Sequence, residues 1–277
     1  MQLTQSARIA LAAWVLVFSG LTKASESPNL EEAVCGSFKE WLLFNLWSAV
    51  AGKPDPKAAA SFGNVVEISH RTSDGRLLRG FKIRSKTPGK GSLLFAQGNA
   101  MLADQVLASL SAFARDGIDV YVFDYRGYGL SEGAARLKAI ANDYTELAHA
   151  VAKMTPGKRY LYGVSFGGIV LLNALSAAGK VDAIVIDSSP SIVSDMGCPA
   201  TYDPVTHVPE SASHVLMIVG DRDQVVPPSR SARLAEAIRS KGGIVERRES
   251  FAHPFMDSEP ETQRTRSELI RSFLASK

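Results

Sequence analysis

Short, unbroken apolar runs recur along this sequence at intervals that leave room for one helix between them. Leu93-Leu94-Phe95-Ala96, Val120-Tyr121-Val122-Phe123, Tyr160-Leu161-Tyr162, Ala183-Ile184-Val185-Ile186 and Val215-Leu216-Met217-Ile218-Val219 show no polar alternation. That is the pattern of strands buried on both faces. Between them lie helix-period segments near Ala103 to Arg115, Ile140 to Met154 and Ile169 to Ala178, and Ser229 to Ser240 follows Pro227-Pro228. Gly243 to Arg248 and Glu261 to Leu274 repeat the strand-then-helix order. Parallel strands need long crossovers, so the alternation predicts an α/β chain with a mostly parallel sheet and helices on both faces. Val65 to His70 and Arg76 to Ile83, joined through Ser73-Asp74-Gly75, read as a hairpin at its N-terminal edge.

This pattern sets the domain division. Residues 63–277 form one domain, and a chain of 277 residues with 45% hydrophobic content can bury its core. Residues 25–62 form an N-terminal helical and linker segment. In it, Trp41-Leu42-Leu43-Phe44-Asn45-Leu46-Trp47 is apolar on most sides and is stopped by Lys53-Pro54-Asp55-Pro56. Two roles are open to this stretch, covering the core edge or contacting a membrane peripherally; its lack of a Lys/Arg-rich face favours the first. Residues 1–24 read as an export signal: Arg8 precedes an apolar run from Ile9 to Phe18, and Thr22-Lys23-Ala24 fits cleavage after Ala24. An uncleaved anchor is the weaker alternative, the run being shorter than the roughly 20 residues of a span. A periplasmic or secreted protein is the expectation.

The formal charge of +3 makes no electrostatic case for nucleic acid. Two cysteines, Cys35 and Cys198, belong to no CxxC pair or Cys/His cluster, so zinc chemistry is not expected. In an exported chain they could pair, tying the N-terminal segment to a loop near the site, or remain two buried thiols; spacing does not decide. The stretch from Asp187 to Ser213 has little periodicity and is too short for a cap domain, which predicts a minimal lid over an open, shallow site.

Gly163-Val164-Ser165-Phe166-Gly167-Gly168 follows one predicted strand and precedes a helix. A sharp strand-to-helix turn of this kind lifts the serine hydroxyl clear of the sheet and demands small residues on either side. A serine hydroxyl needs an imidazole to take its proton and an acid to fix that imidazole. Of the five histidines, His253 lies on the loop after the last strand, at the edge where Ser165 emerges. His214 belongs at the opposite edge, His149 in a helix, His70 in an early strand, and His207 in the lid-like loop. The acid comes from the turn Gly220-Asp221-Arg222-Asp223, where Asp223 is placed to reach the next loop and Asp221 reads as a turn residue. Backbone N–H groups of Phe166 and Asn99, the latter in Gln97-Gly98-Asn99-Ala100, are the candidate oxyanion donors.

From about Val65 onward these residues resemble the α/β-hydrolase superfamily, most closely its Bem46-like and serine-aminopeptidase-like (S33-type) branch. The long segment Phe123-Asp124-Tyr125-Arg126-Gly127-Tyr128-Gly129-Leu130-Ser131-Glu132-Gly133 carries much of the likeness. In that family it shapes the site floor, so Asp124 and Arg126 are read as structural. The resemblance implies the α/β-hydrolase fold, the order Ser165, Asp223, His253, and no metal or cofactor. Many members have His-Gly where this chain has Gln97-Gly98, which alters the support of the oxyanion loop. The function expected is hydrolysis of an acyl ester or thioester of small-molecule or lipid-like character. Two alternatives stand beside it, a serine aminopeptidase-like peptidase and a non-catalytic binding protein on the same fold.

Overall fold

The computed structural model describes residues 29–87 and 89–277. The export-signal reading therefore lies outside the described residues. Among these residues no helix is long and apolar enough to cross a membrane, and no group of His, Cys, Asp or Glu is arranged to hold a metal ion.

Eight strands form one sheet in the order β1-β2-β4-β3-β5-β6-β7-β8. They are β1 (Val65–Arg71), β2 (Leu77–Ile83), β3 (Gly91–Ala96), β4 (Ile118–Phe123), β5 (Lys158–Val164), β6 (Ala183–Asp187), β7 (Val215–Gly220) and β8 (Ile244–Arg248). Only β2 runs against its neighbours, being antiparallel to both β1 and β4. The helices are α1 (Ser37–Ala51), α2 (Leu107–Arg115), α3 (Leu137–Met154), α4 (Phe166–Leu175), α5 (Pro228–Ser240) and α6 (Pro260–Ala275).

Alternate residues of each central strand feed two cores. Leu94 and Ala96 face a core shared with α1, α3, α4 and α5. Leu93 and Phe95 face the other, shared with α2 and α6. Strand order reverses about β3, so the loops after β3 and β5 diverge and leave a crevice at their carboxyl ends, the place where open α/β sheets bind ligands.

The segment 187–213 forms short 3-10 turns at Ser194–Met196, Ala200–Tyr202 and Pro204–His207 rather than a cap domain. The wall that the shallow-site expectation lacked comes from α1. This helix is apolar all round: Phe44 and Ala51 are buried, while Phe38, Trp41, Leu42, Leu46 and Val50 are exposed. Its N-terminal approach is fixed by Glu40, whose buried carboxylate accepts the N–H groups of Val34 (2.7 Å), Cys35 (2.9 Å) and Leu137 (2.7 Å). Cys35 and Cys198 are joined in a disulfide, which settles the pairing that spacing left open.

Asp124 and Arg126 behave as framework. Arg126 is fully buried and bonds Asp143 and Asp74 bidentately, with a further contact to Glu31 at 3.1 Å. Asp124 accepts the Ala103 N–H at 2.7 Å, and burial pushes its carboxyl up to about 7. A carboxyl raised on folding binds its proton more tightly in the native than in the unfolded state, so it makes stability fall as pH rises from about 4 to about 7. Asp124→Asn removes that slope. Urea unfolding at pH 5 and pH 8 is expected to show a smaller decline in the variant, the difference being at most about 3 kcal/mol, since part of the effect is already lost below pH 5. Equal declines would mean that Asp124 stays ionised in the fold.

Candidate active site

Ser165 sits between β5 and α4 with φ 53° and ψ −114°, a strained conformation for a residue with a side chain. The strain is held by backbone and side-chain bonds. Its N–H donates to the Asp187 carbonyl at 2.8 Å, and its carbonyl accepts the Ser189 hydroxyl at 2.7 Å. The glycine requirement has a concrete cause at Gly167, where a Cβ would stand 2.0 Å from the Ala96 carbonyl oxygen at the end of β3. Gly163 is equally constrained, its Cβ position lying 2.6 Å from the Gly167 carbonyl oxygen.

His253 follows β8 on its loop, and its Nδ1 lies 2.9 Å from Oδ2 of Asp223. The other carboxylate oxygen of Asp223 accepts the N–H groups of Val225 (2.9 Å) and Val226 (2.8 Å). Burial pushes the Asp223 carboxyl up, but the bonds from His253 and Val226 and the His253 charge outweigh it and hold the group below the usual aspartate range. An ionised Asp223 accepts Nδ1–H, which leaves Nε2 of the imidazole as the proton acceptor. Asp221 instead pairs with Arg247 at 2.5 Å on the surface.

Ser165 and His253 line one cavity of about 530 Å³. Among the hydrogen bonds of the described residues, none joins the Ser165 hydroxyl to the imidazole; such contacts commonly tighten only when substrate is bound. Phe166 is the first residue of α4, so its N–H has no partner within the helix, and Asn99 lines the same cavity after β3. Gln97, in place of the family histidine, points into the core. Its side-chain amide donates to the Phe123 carbonyl at 2.9 Å, and its backbone carbonyl accepts the Tyr125 hydroxyl at 2.5 Å, which anchors the loop carrying Asn99.

The other histidines lie elsewhere: half-buried His207 contacts the Thr201 carbonyl and exposed His149 the Ala177 carbonyl, while His70 faces Glu146 at 3.6 Å. Sequence reasoning missed Arg266 of α6, a buried cation that ties the end of β6, the strand beside the nucleophile strand, to the histidine loop. It bonds Asp187 (2.6 Å), Asp257 (3.1 Å) and the Ala252 carbonyl (2.6 Å), and Asp257 in turn accepts the Ala252 N–H at 2.7 Å.

A nucleophile turn at the switch point of this strand order gives the α/β-hydrolase fold, and the chain is similar to proteins of the α/β-hydrolase superfamily. Residues 87–206 match the family described as serine aminopeptidase, S33. Among curated relatives, the uncharacterized protein YfhR of Escherichia coli K12 is 25% identical over 65% of this chain and 69% of its own length. Human alpha/beta hydrolase domain-containing protein 17B is 27% identical over 60% of this chain and 62% of its own. Among solved structures, the Pyrococcus furiosus esterase Pf2001 superposes with a TM-score of 0.65 at 17% identity, covering 81% of this chain and 96% of that one. XC6422 of Xanthomonas campestris, described as a serine hydrolase without lid, gives 0.61 at 18% identity, covering 78% and 95%. At these identities the structural likeness bears on the fold.

Proposed function

We propose that the chain hydrolyses a carboxylic ester or thioester through an acyl-serine intermediate, with Ser165 as nucleophile, His253 as general base and Asp223 orienting it. The observation that carries this reading is the Asp223–His253 bond, which leaves an imidazole nitrogen free to accept a proton in the cavity that Ser165 also lines. As Ser165 Oγ attacks the acyl carbon, its proton passes to His253 Nε2. The N–H groups of Asn99 and Phe166 then stabilise the oxyanion, and His253 returns the proton to the departing alcohol or thiol. Water, deprotonated by His253 in its turn, releases the acid and restores Ser165.

The apolar lining supports an ester over a peptide. The aminopeptidase alternative needs a carboxylate for the substrate amine. Glu40 lines the cavity, but its oxygens already accept three backbone N–H groups. A disulfide suits an oxidising compartment, which fits export. The exposed outer face of α1 suits peripheral contact with a membrane. Turnover of a p-nitrophenyl ester and an S-acyl thioester, set against an amino-acid anilide, tests the class. The esters are expected to exceed the anilide in kcat/KM by about a hundredfold or more. An anilide turned over as fast or faster would replace this reading with the peptidase.

A further inference from the structure

The cavity that holds Ser165 and His253 is walled on its far side by a segment outside the hydrolase domain. Leu43, Phe44 and Trp47 of α1 face it opposite Ile169, Val193 and Met196, and both cysteines of the disulfide line it. Aromatic contacts lock the inner face of α1 to the nucleophile helix, with the Phe44 and Phe166 rings 5.6 Å apart and Trp47 and Phe166 6.4 Å apart. The charged side chains along the lining are already engaged. Glu40 holds three N–H groups, Lys39 donates to the Met196 carbonyl, and Arg230 pairs with Asp195. The buried carboxylate of the lining is thus not free to receive an amine, and its two cations, Lys39 and Arg230, are on exposed side chains, which leaves an apolar wall along α1.

We propose that the acyl chain of the substrate lies in this cavity against the inner face of α1, and that the Cys35–Cys198 disulfide fixes that wall, so that chain-length selectivity resides in the N-terminal segment. The proposal rests on the ester-hydrolase reading. The acyl part fits this place better than the leaving group, because it stays bound to Ser165 through the second half of the reaction. The leaving group must exit first, and exposed Val225 and Met256 mark an open mouth for it. If a methylene takes about a water's share of volume, roughly 30 Å³, a cavity of 530 Å³ has room for an unbranched chain of up to about seventeen carbons, so an octanoyl chain enters it whole.

The test is kcat/KM across p-nitrophenyl esters from acetyl to octadecanoyl, beside acetyl esters of alcohols of increasing length, with Ser165 labelling by a small fluorophosphonate followed in parallel. In the wild type kcat/KM is expected to rise by about fourfold per added methylene of the acyl chain from acetyl at least as far as octanoyl, and to stay flat along the alcohol series. Trp47→Ala is expected to move the optimum to longer chains. The double variant Cys35→Ser, Cys198→Ser is expected to lower the octanoyl-to-acetyl ratio by about tenfold while labelling of Ser165 persists. A wild-type profile flat in acyl length, or one that tracks the alcohol, overturns the placement of the chain even though Ser165 labels. An unchanged ratio in the double variant overturns the role of the disulfide. If wild-type Ser165 does not label, the hydrolase reading itself fails, and this proposal with it.

Discussion

Ser165→Ala is expected to lower kcat for the preferred ester by about 10⁴- to 10⁶-fold while leaving the unfolding midpoint almost unchanged. The size follows from the chemistry, since without the hydroxyl there is no acyl intermediate and only the oxyanion donors and substrate positioning remain to accelerate direct attack by water. The hydroxyl makes no hydrogen bond with the imidazole that its removal would forfeit, and alanine keeps the Cβ that the turn already tolerates at φ 53°. Steady-state kinetics with a p-nitrophenyl ester, beside thermal unfolding of the same preparations, separates the two effects. A loss of less than tenfold would mean that another group carries the chemistry.

Arg266→Met is expected to cost about 3–5 kcal/mol of stability, because it strips the cation from two buried carboxylates at once. Burial pushes the Asp187 carboxyl up, and the Arg266 charge is the main influence pulling it back. Asp257, 6% exposed, contacts the same guanidinium. The substitution also removes the donor to the Ala252 carbonyl, immediately before His253, and loosens Asp187, whose carbonyl holds the Ser165 N–H. Catalysis should therefore fall along with stability. Arg271→Met is the control. Its carboxylate partner Asp116 and its own guanidinium are both partly exposed, and its loss should cost no more than about 1 kcal/mol. Urea unfolding of both variants reads the difference, and equal small losses would show that the Arg266 network adds nothing beyond an ordinary surface pair.

The strands were legible because both faces of the sheet are covered, so each central strand reads as an unbroken apolar run with no alternation to misjudge. Helix α4 starts at Phe166, ahead of the Ile169 start that periodicity suggests. Gly167 and Gly168 weaken the local helical signal, and the turn at Ser165 overrides it by packing backbone on backbone. Ser165, Asp223 and His253 could be placed from chain position alone, since all three follow strands at one edge of a parallel sheet. The wall of the cavity could not. A helix apolar on every side, such as α1, gives no phase from which to infer which face turns inward, and so the sequence predicts a shallower site than the fold builds. Glu40 and Arg266 escaped notice for a related reason. A buried charge looks like any surface charge until its partners, distant in the chain, are brought to it. The Cys35–Cys198 pair, 163 residues apart, likewise needed coordinates.

The central claim is an acyl-serine intermediate at Ser165, and the most direct measurement is the mass of the protein quenched during turnover of a slowly deacylating ester, followed by peptide mapping. The expected result is a single added acyl group on the peptide containing Ser165, absent from Ser165→Ala and strongly reduced in His253→Ala. Steady turnover by folded wild-type protein with no adduct at any quench time, or with the adduct on another residue, would contradict the account.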